Sequence, residues 1–380
     1  MYNRTLHILA LLTALATFPL IFMGGLVTSH GAGMSVPDWP NSYGYNMFTF
    51  PPSQWVGGIF YEHTHRLMGS VVGMLSIALA TYAWHTQIAN AASRLGQFVT
   101  RGRIRATHIP SAFAAPVRWL CLSVLIAVIL QGVLGGLRVV LVELDLAIVH
   151  ACFAQAFFCL AAAACIVTSR WWINAPDLSQ SRTFWDGKRL IAACVVALIA
   201  IYAQLIVGAA MRHYQAGLAV PDLPLAYGQI IPATDHASLQ ELNDLRAWRL
   251  NLPRVSATQI WLHMGHRIGA LVVTLAILAA VAITLVNHRR ERELLRPAML
   301  LVALLLTQIT LGVLTVLWRK PADIASAHVA VGALTLVTTF VLTMRAARLY
   351  ARRREAIAGA FTDDDDDSYA TQLGGRLAAA

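Results

Sequence analysis

A chain of 380 residues that is 57% hydrophobic and only 13% charged, with a mean hydropathy of +0.60, is not a soluble globule, in which charged residues make up about 25%. It reads as an all-α integral membrane protein. The net charge of +10 does not point to nucleic acid as a partner, because the basic residues sit in alternate loops and not on one face.

A membrane-spanning helix needs about 20 apolar residues, and eight stretches qualify: roughly 7–29, 58–86, 117–140, 145–169, 190–212, 258–286, 297–318 and 324–347. The first run is long and lacks a small-residue cleavage pattern after it, so no cleavable signal is expected. Arg94, Arg101, Arg103 and Arg105 follow the second run; Arg170, Arg182, Lys188 and Arg189 follow the fourth. His288, Arg289, Arg290 and Arg292 follow the sixth, and Arg348, Arg352, Arg353 and Arg354 the eighth. By the positive-inside rule these loops are cytoplasmic and so are both termini. Segment 30–57 carries no Lys or Arg, which suits the outer side. In the other long outer loop, 213–257, Arg246, Arg249 and Arg254 are balanced by Asp222, Asp235, Glu241 and Asp244. The five cysteines (Cys121, Cys152, Cys159, Cys165, Cys194) all fall inside spans, as small buried residues do, and no structural disulfide is expected. The end of the chain, with aspartate at every position from Asp363 to Asp367, reads as a disordered tail.

The sequence repeats internally. AGMSVPDWPNSYG (Ala32 to Gly44) returns as AGLAVPDLPLAYG (Ala216 to Gly228), and EHTHRLMGSVVGML from Glu62 matches HMGHRIGALVVTL from His263 around His-Arg. QGVLGGLRVV (Gln131 to Val140) resembles QITLGVLTVL (Gln308 to Leu317), and His150 and His328 follow at similar distances. Four spans per repeat is an even number, so the expected fold is two repeated four-helix bundles of like orientation, related by a pseudo-two-fold axis along the membrane normal. The expected division is an N-terminal half 1–172, a cytoplasmic linker 173–189, a C-terminal half 190–350 and a cytoplasmic tail 351–380.

His65, His150, His266 and His328 fall one per helix at repeat-equivalent positions near the outer edge. A single buried histidine is commonly a hydrogen-bonded core residue; four at equivalent depth point to metal ligation. Zinc prefers four protein ligands, whereas each half offers two histidines on different helices with small residues nearby (Gly69, Gly73, Gly132, Gly135, Gly136; Gly265, Gly269, Gly312, Gly332). Space for a flat macrocycle and two axial imidazoles suits haem iron. His263 and His266, three apart on one helix, offer an alternative metal site. The remaining histidines, including His7, His30, His63, His85, His108, His213, His236 and His288, lack a partner in register and are read as surface or loop residues.

Glu62 shares a helix face with His65, as either a solvated rim carboxylate or a proton acceptor. Arg66 and Arg267, directly after two of the histidines, are candidate partners for haem propionates, with snorkelling to the interface as the plainer reading. Arg138 and Arg212 are further propionate candidates. Gln131 and Gln308 are expected to bridge helices, and Asp38 and Asp222 to shape turns in the outer loops, which lid the pockets.

These residues carry a resemblance: Glu62-x-x-His65-Arg66, the Pro37-Asp38-Trp39-Pro40 loop, Gln131-x-x-Leu-Gly-Gly136, His150, His266-Arg267 and His328 resemble the haem A synthase family, over nearly everything from Leu6 to Arg348. The resemblance implies oxidation of the C8 methyl of haem O to a formyl group, giving haem A for terminal oxidases. It implies a substrate haem in the N-terminal half at His65 and His150, with Glu62 catalytic, and a haem b in the C-terminal half at His266 and His328. Implied partners are haem O synthase, terminal oxidase assembly factors, membrane lipid and an unidentified electron acceptor, in a bacterial cytoplasmic membrane. Two features depart from the family: no cysteine pair stands in the outer loop, where Val36 and Asn41 to Gly44 lie, and His263 occupies the position of Glu62 in the second half. A di-haem b-type cytochrome for quinol-linked electron transfer shares every ligand and is the rival reading. A transporter built on parallel repeats would need broken helices or midplane polar groups, which the eight runs lack.

Overall fold

The structure is a computed structural model that describes residues 2–100, 114–179, 181 and 183–350, with side chains for all of these except 86–100. Arg101, Arg103, Arg105, His108, Arg182 and the expected tail 351–380 lie outside the described residues, as does the side chain of Arg94.

Among the described residues, eight helices are long and apolar enough to cross a membrane. They are α1 (Arg4–Ser29), α2 (Gly58–Thr100), α3 (Ala115–Leu141), α4 (Leu144–Val167), α5 (Phe184–His213), α6 (Ala257–Asn287), α7 (Arg292–Leu317) and α8 (Ala322–Tyr350). The chain is a multi-pass, all-helical membrane protein. Local chemistry sets the helix ends. Asn3 caps α1 by accepting from Leu6 N, and Ser256 with Gln259 forms a reciprocal capping box at α6. Large side chains such as Leu15, Ile199, Leu275 and Leu306 stay exposed along the helices, as expected where the surrounding solvent is lipid. Hydroxyls within the spans return to their own helix: Thr13 to Leu9 O, Thr17 to Thr13 O and Thr339 to Thr335 O.

Packing follows chain order. Helix α1 contacts α2, α2 contacts α3, α3 contacts α4 and α4 returns to α1; α5, α6, α7 and α8 close a second ring in the same way. The rings meet through α1 with α8, α4 with α5 and α4 with α8. Segment 173–189 is not a free linker. The short helix Arg170–Asn174 runs into it, Arg348 Nε donates to Trp172 O (3.0 Å) just before it, and Leu178 N donates to Leu349 O (2.8 Å), so it is docked on the C-terminal end of α8.

The outer loops repeat residue for residue. Asp38 accepts from Tyr43 N (2.7 Å) and Gly44 N (2.8 Å), and Asp222 from Tyr227 N (2.8 Å) and Gly228 N (3.0 Å). Both aspartates therefore shape turns, and the tyrosine and glycine after each take positive φ. The second loop adds the helix His236–Leu245 and a fully buried Arg246, whose guanidinium holds Leu218 O, Pro253 O and the Tyr227 hydroxyl.

Candidate functional site

Each of the four histidines stands on an even-numbered helix and lays its ring against a glycine of the preceding odd-numbered helix. A Cβ added at Gly24 would lie 3.0 Å from His65 Cε1; at Gly135, 2.9 Å from His150 Cε1. The corresponding distances are 3.1 Å from Gly208 to His266 and 3.1 Å from Gly312 to His328. Only glycine lets the helices approach this closely without displacing the ring.

Four residues before each glycine the odd helix carries Leu20, Gln131, Gln204 and Gln308. Gln131 Nε2 donates to His150 O (3.0 Å) and lies 3.4 Å from its Nε2. Gln308 Nε2 is 3.3 Å from His328 Nε2. Gln204 Nε2 donates to His266 O (2.7 Å) and lies 3.0 Å from its Nδ1. Gln131 and Gln308 thus bridge helices as the sequence predicts, and Gln204, which the sequence reading does not single out, does the same from α5. A Cβ at Gly269 would stand 2.1 Å from Gln204 Oε1, so this glycine makes room for an amide and not for a macrocycle. Gly136 serves Trp39 in the same way, its added Cβ lying 2.3 Å from the indole. At Gly69, Gly73, Gly132 and Gly265 an added Cβ meets nothing within 4 Å.

The pairs are brought together. The ring centres of His266 and His328 are 6.4 Å apart. Two imidazoles on opposite sides of one metal, each bonded at about 2 Å, have ring centres about 6 Å apart, so this pair has the spacing of one shared ion. His150 lies close enough to His65 and Arg138 to feel their charge, and Arg138 acts electrostatically on His65 too. All four rings are half-buried, and Nδ1 of His65, His150 and His328 has no hydrogen-bond partner. No group of three or more His, Cys, Asp or Glu suited to a bare metal ion occurs among the described residues. His263 is buried and its Nδ1 lies 3.0 Å from Ala216 O. The donor set fits two bis-imidazole haems.

The arginines next to the ligands do other work. Arg66 Nη1 donates to Asp38 O (2.7 Å) and Asn41 O (2.9 Å), and its Nη2 to Val36 O (2.7 Å) and Glu62 Oε1 (2.9 Å). Arg267 holds Leu225 O, Val220 O and Asp222 O at 2.7 to 3.0 Å. Both side chains thus clamp the loops above them, and Arg267 Nε is left without a hydrogen-bond partner. Glu62, 4% exposed, belongs to the same clamp and also accepts from Val36 N (2.9 Å). Arg138 and Arg212 make no ion pair among the described residues; Arg138 feels the charge of Glu62, and Arg212 acts on His328. Arg212 reaches across to α1, donating to Gly25 O and Ser29 Oγ.

Two histidines read as surface residues are buried. His63 contacts Ser42 Oγ (3.2 Å) and packs on Phe50 and Trp55, and His288 meets the Tyr350 hydroxyl at 2.9 Å. His63 lies under the first outer loop. It pins the loop, with Trp39 and the Arg66 clamp, over the outer end of the His65 and His150 pair.

Residues 7–341 match the model of a family described as cytochrome oxidase assembly protein. The chain belongs to that family. Among its relatives, the heme A synthase of Geobacillus kaustophilus (strain HTA426) is 27% identical over 332 residues, which cover 86% of each chain. That of Halalkalibacterium halodurans is 24% identical, covering 90% of this chain and 97% of the relative, and that of Shouchella clausii is 26% identical, covering 83% and 88%. In this member of the cytochrome oxidase assembly family, the matched stretch spans all four of these histidines and ends within α8.

Proposed function

We propose that this protein is a haem A synthase, an oxidoreductase that converts the C8 methyl of haem O to a formyl group, with haem O bound between His65 and His150 and haem b between His266 and His328. The observation that carries the reading is the pair of histidine sites, each ring seated in a glycine notch, within a chain whose full-length relatives are named heme A synthase. His266 and His328 would hold haem b in the C-terminal half, where it would supply one-electron transfer.

The halves differ where chemistry requires it. With water supplying the oxygen, oxidising the methyl to a formyl group releases four electrons to an external acceptor and four protons, and the N-terminal half carries a buried carboxylate, Glu62, where the C-terminal half carries His263. Glu62 takes a proton as the substrate is oxidised, and Arg66 holds it in place. Arg138, unpaired and close to His65, His150 and Glu62, holds a carboxylate of the substrate haem, and Arg212 plays that part beside His328. Loops clamped by Arg66 and Arg267 cover the outer ends of the sites. The halves are related by a pseudo-two-fold axis along the membrane normal, with substrate half 1–172 and haem b half 190–350. The product passes to terminal oxidase assembly.

The test is the Glu62→Gln variant, expressed with a haem O supply, its haems extracted and identified by mass. General acid-base groups contribute about 10²- to 10⁴-fold in rate. Haem O or a hydroxymethyl form should therefore accumulate at the expense of haem A while haem b stays. Two permanently bound, unmodified haems in the wild-type protein would instead favour the di-haem electron-transfer cytochrome.

A further inference from the structure

In each half a basic side chain lies across the same glycine of the outer loop. A Cβ added at Gly33 would overlap the Arg138 guanidinium, and one added at Gly217, its repeat counterpart, would lie 3.4 Å from Lys320 Cδ. The two cations reach that place by different routes. In the repeat that runs from Gln131 to Val140 and from Gln308 to Leu317, Arg138 stands opposite Thr315, so the second half has no arginine there. Instead α7 ends at Leu317 and the chain turns back through Arg319 and Lys320, both at positive φ (57° and 64°), until Lys320 N donates to Thr315 O (2.7 Å). The turn thus brings Lys320 to the place that Arg138 holds in the first half. A left-handed backbone suits glycine and not lysine, so lysine at this position points to a use for its side chain.

Lys320 is half-buried, its Nζ donates to Gln215 Oε1 (3.3 Å), and it makes no ion pair among the described residues. Burial, and after it the nearby charge of Arg212, hold its ammonium below the ordinary value of 10.5. Arg212, which also acts on His328, has no ion pair either. A cavity of about 320 Å³ opens beside Lys320, lined by Gln215, Gln259, Arg246 and Arg254 and by no Asp or Glu. Arg246 is engaged by Leu218 O, Pro253 O and the Tyr227 hydroxyl, and Arg254 by Asp244 (2.9 Å), whereas Lys320 keeps N–H groups for a guest. Gln259 marks the depth of the cavity. It stands seven residues before His266 on α6, hence on the same face, and about 10 Å farther out. Two half-buried cations side by side are costly unless an anion joins them. We propose that Lys320 and Arg212 hold the carboxylates of the C-terminal haem, which therefore stands with its acidic edge outward, toward the cavity. The proposal rests on the haem b reading of His266 and His328 and adds the contact that orients the group. A porphyrin gripped only by imidazoles from α6 and α8 is free to turn in its own plane; charged contacts at one edge settle which edge faces out.

The chain has two lysines, Lys188 and Lys320, so acylation of their amines can be read peptide by peptide from mass. The full-length protein in detergent is treated with a charged N-hydroxysuccinimide ester, once as wild type with haem b bound and once as His266→Ala, which lacks it. Lys320 should react about 10- to 100-fold more slowly in the wild type, the factor expected of a hydrogen bond between charged groups, while Lys188 reacts equally in both. Lys320→Met keeps the length of the side chain and removes its charge. It should lower the haem b midpoint potential, because a cation at the haem edge favours the ferrous form, and speed haem b loss to apomyoglobin about 10- to 100-fold. Adding Thr315→Arg returns a cation to the place of Arg138 and should restore both properties. Equal reactivity of Lys320 with and without haem b, or a potential that Lys320→Met leaves unchanged, would overturn the proposal and make a lipid phosphate the partner of Lys320. The acylation arm leaves Lys320 intact, so it decides the matter even where Lys320→Met does not fold. A wild-type protein without haem b would overturn the functional reading and this proposal with it, and is told apart by its haem content.

Discussion

At the scale of single residues, the sites depend on the absence of a side chain as much as on the imidazoles. Gly312 lets α7 approach so closely that a methyl group there would press on His328 Cε1 at 3.1 Å, and the ring has Gln308 on another side. Gly312→Ala should therefore tilt the ring off its axis, and overpacking of this kind costs about 1–3 kcal/mol. The expected outcome is a broadened or diminished low-spin haem b spectrum at normal expression. Gly69→Ala is the control, because its Cβ would meet nothing within 4 Å; equal loss in both variants would mean that the notch is not what matters. Replacing His266 or His328 by Ala should remove the haem b absorbance altogether, and a full spectrum in either would displace that pair as ligands.

At the scale of elements, each outer loop is a lid closed by a charged clamp from the helix beneath it. Arg66 alone holds three carbonyls of loop 30–57 as well as Glu62, and hydrogen bonds to charged groups contribute about 1.5–3 kcal/mol each. Arg66→Ala should leave the helices folded while loop 30–57 becomes susceptible to protease and its amides exchange faster; protection equal to wild type would show that the clamp is dispensable. Asp38 adds an acid limit. Burial raises its carboxyl pKa, but the N–H groups of Gly44 and Tyr43, with Arg66, outweigh this and hold it below the ordinary 3.8. A depressed folded value means that its contribution is complete above the ordinary value and is lost as pH falls through the lowered one. Loop protection should thus fall below about pH 4 in the wild type, whereas Asp38→Asn should show a lower level with less dependence on acid. The sequence made the turn role of Asp38 and Asp222 readable because Asp before a turn glycine is a local signal. The loop-clamp role of Arg66 and Arg267 was not legible, since which acceptor a long side chain reaches is decided by how the loop folds back, and Val36 O and Asp38 O lie far from Arg66 in sequence. The sequence misread His63 for the same reason: Phe50 and Trp55 bury it only once the loop has closed.

At the scale of the whole molecule, the two rings of helices are joined at both ends. On the outer side Arg212 reaches Gly25 O and Ser29 Oγ, and Ser29 Oγ lies 3.0 Å from Ser326 Oγ. On the inner side Leu178 and Trp172 dock on α8. The spans themselves were legible because hydropathy over about 20 residues needs no tertiary information; the join was not, because it rests on contacts, apolar among Ile21, Phe158 and Ala333 as well as polar, between residues hundreds of positions apart. Orientation is the remaining whole-molecule property, and we expect both termini on the cytoplasmic side. The argument is the clustering of Arg170, Lys188, Arg189, Arg289, Arg290 and Arg292 at one end of the helices, and the absence of Lys and Arg from 30–57 at the other. A labelling test must use exposed positions. Ser42 is fully buried against His63 and would report burial and not sidedness, whereas Ser53 and Asn174 are exposed at opposite ends. The five native cysteines all lie within the spanning helices, so background reaction with a charged reagent is low. In intact cells Ser53→Cys should react with a membrane-impermeant thiol reagent and Asn174→Cys only after permeabilisation. The reverse pattern would invert the topology and place both haem pockets at the cytoplasmic face.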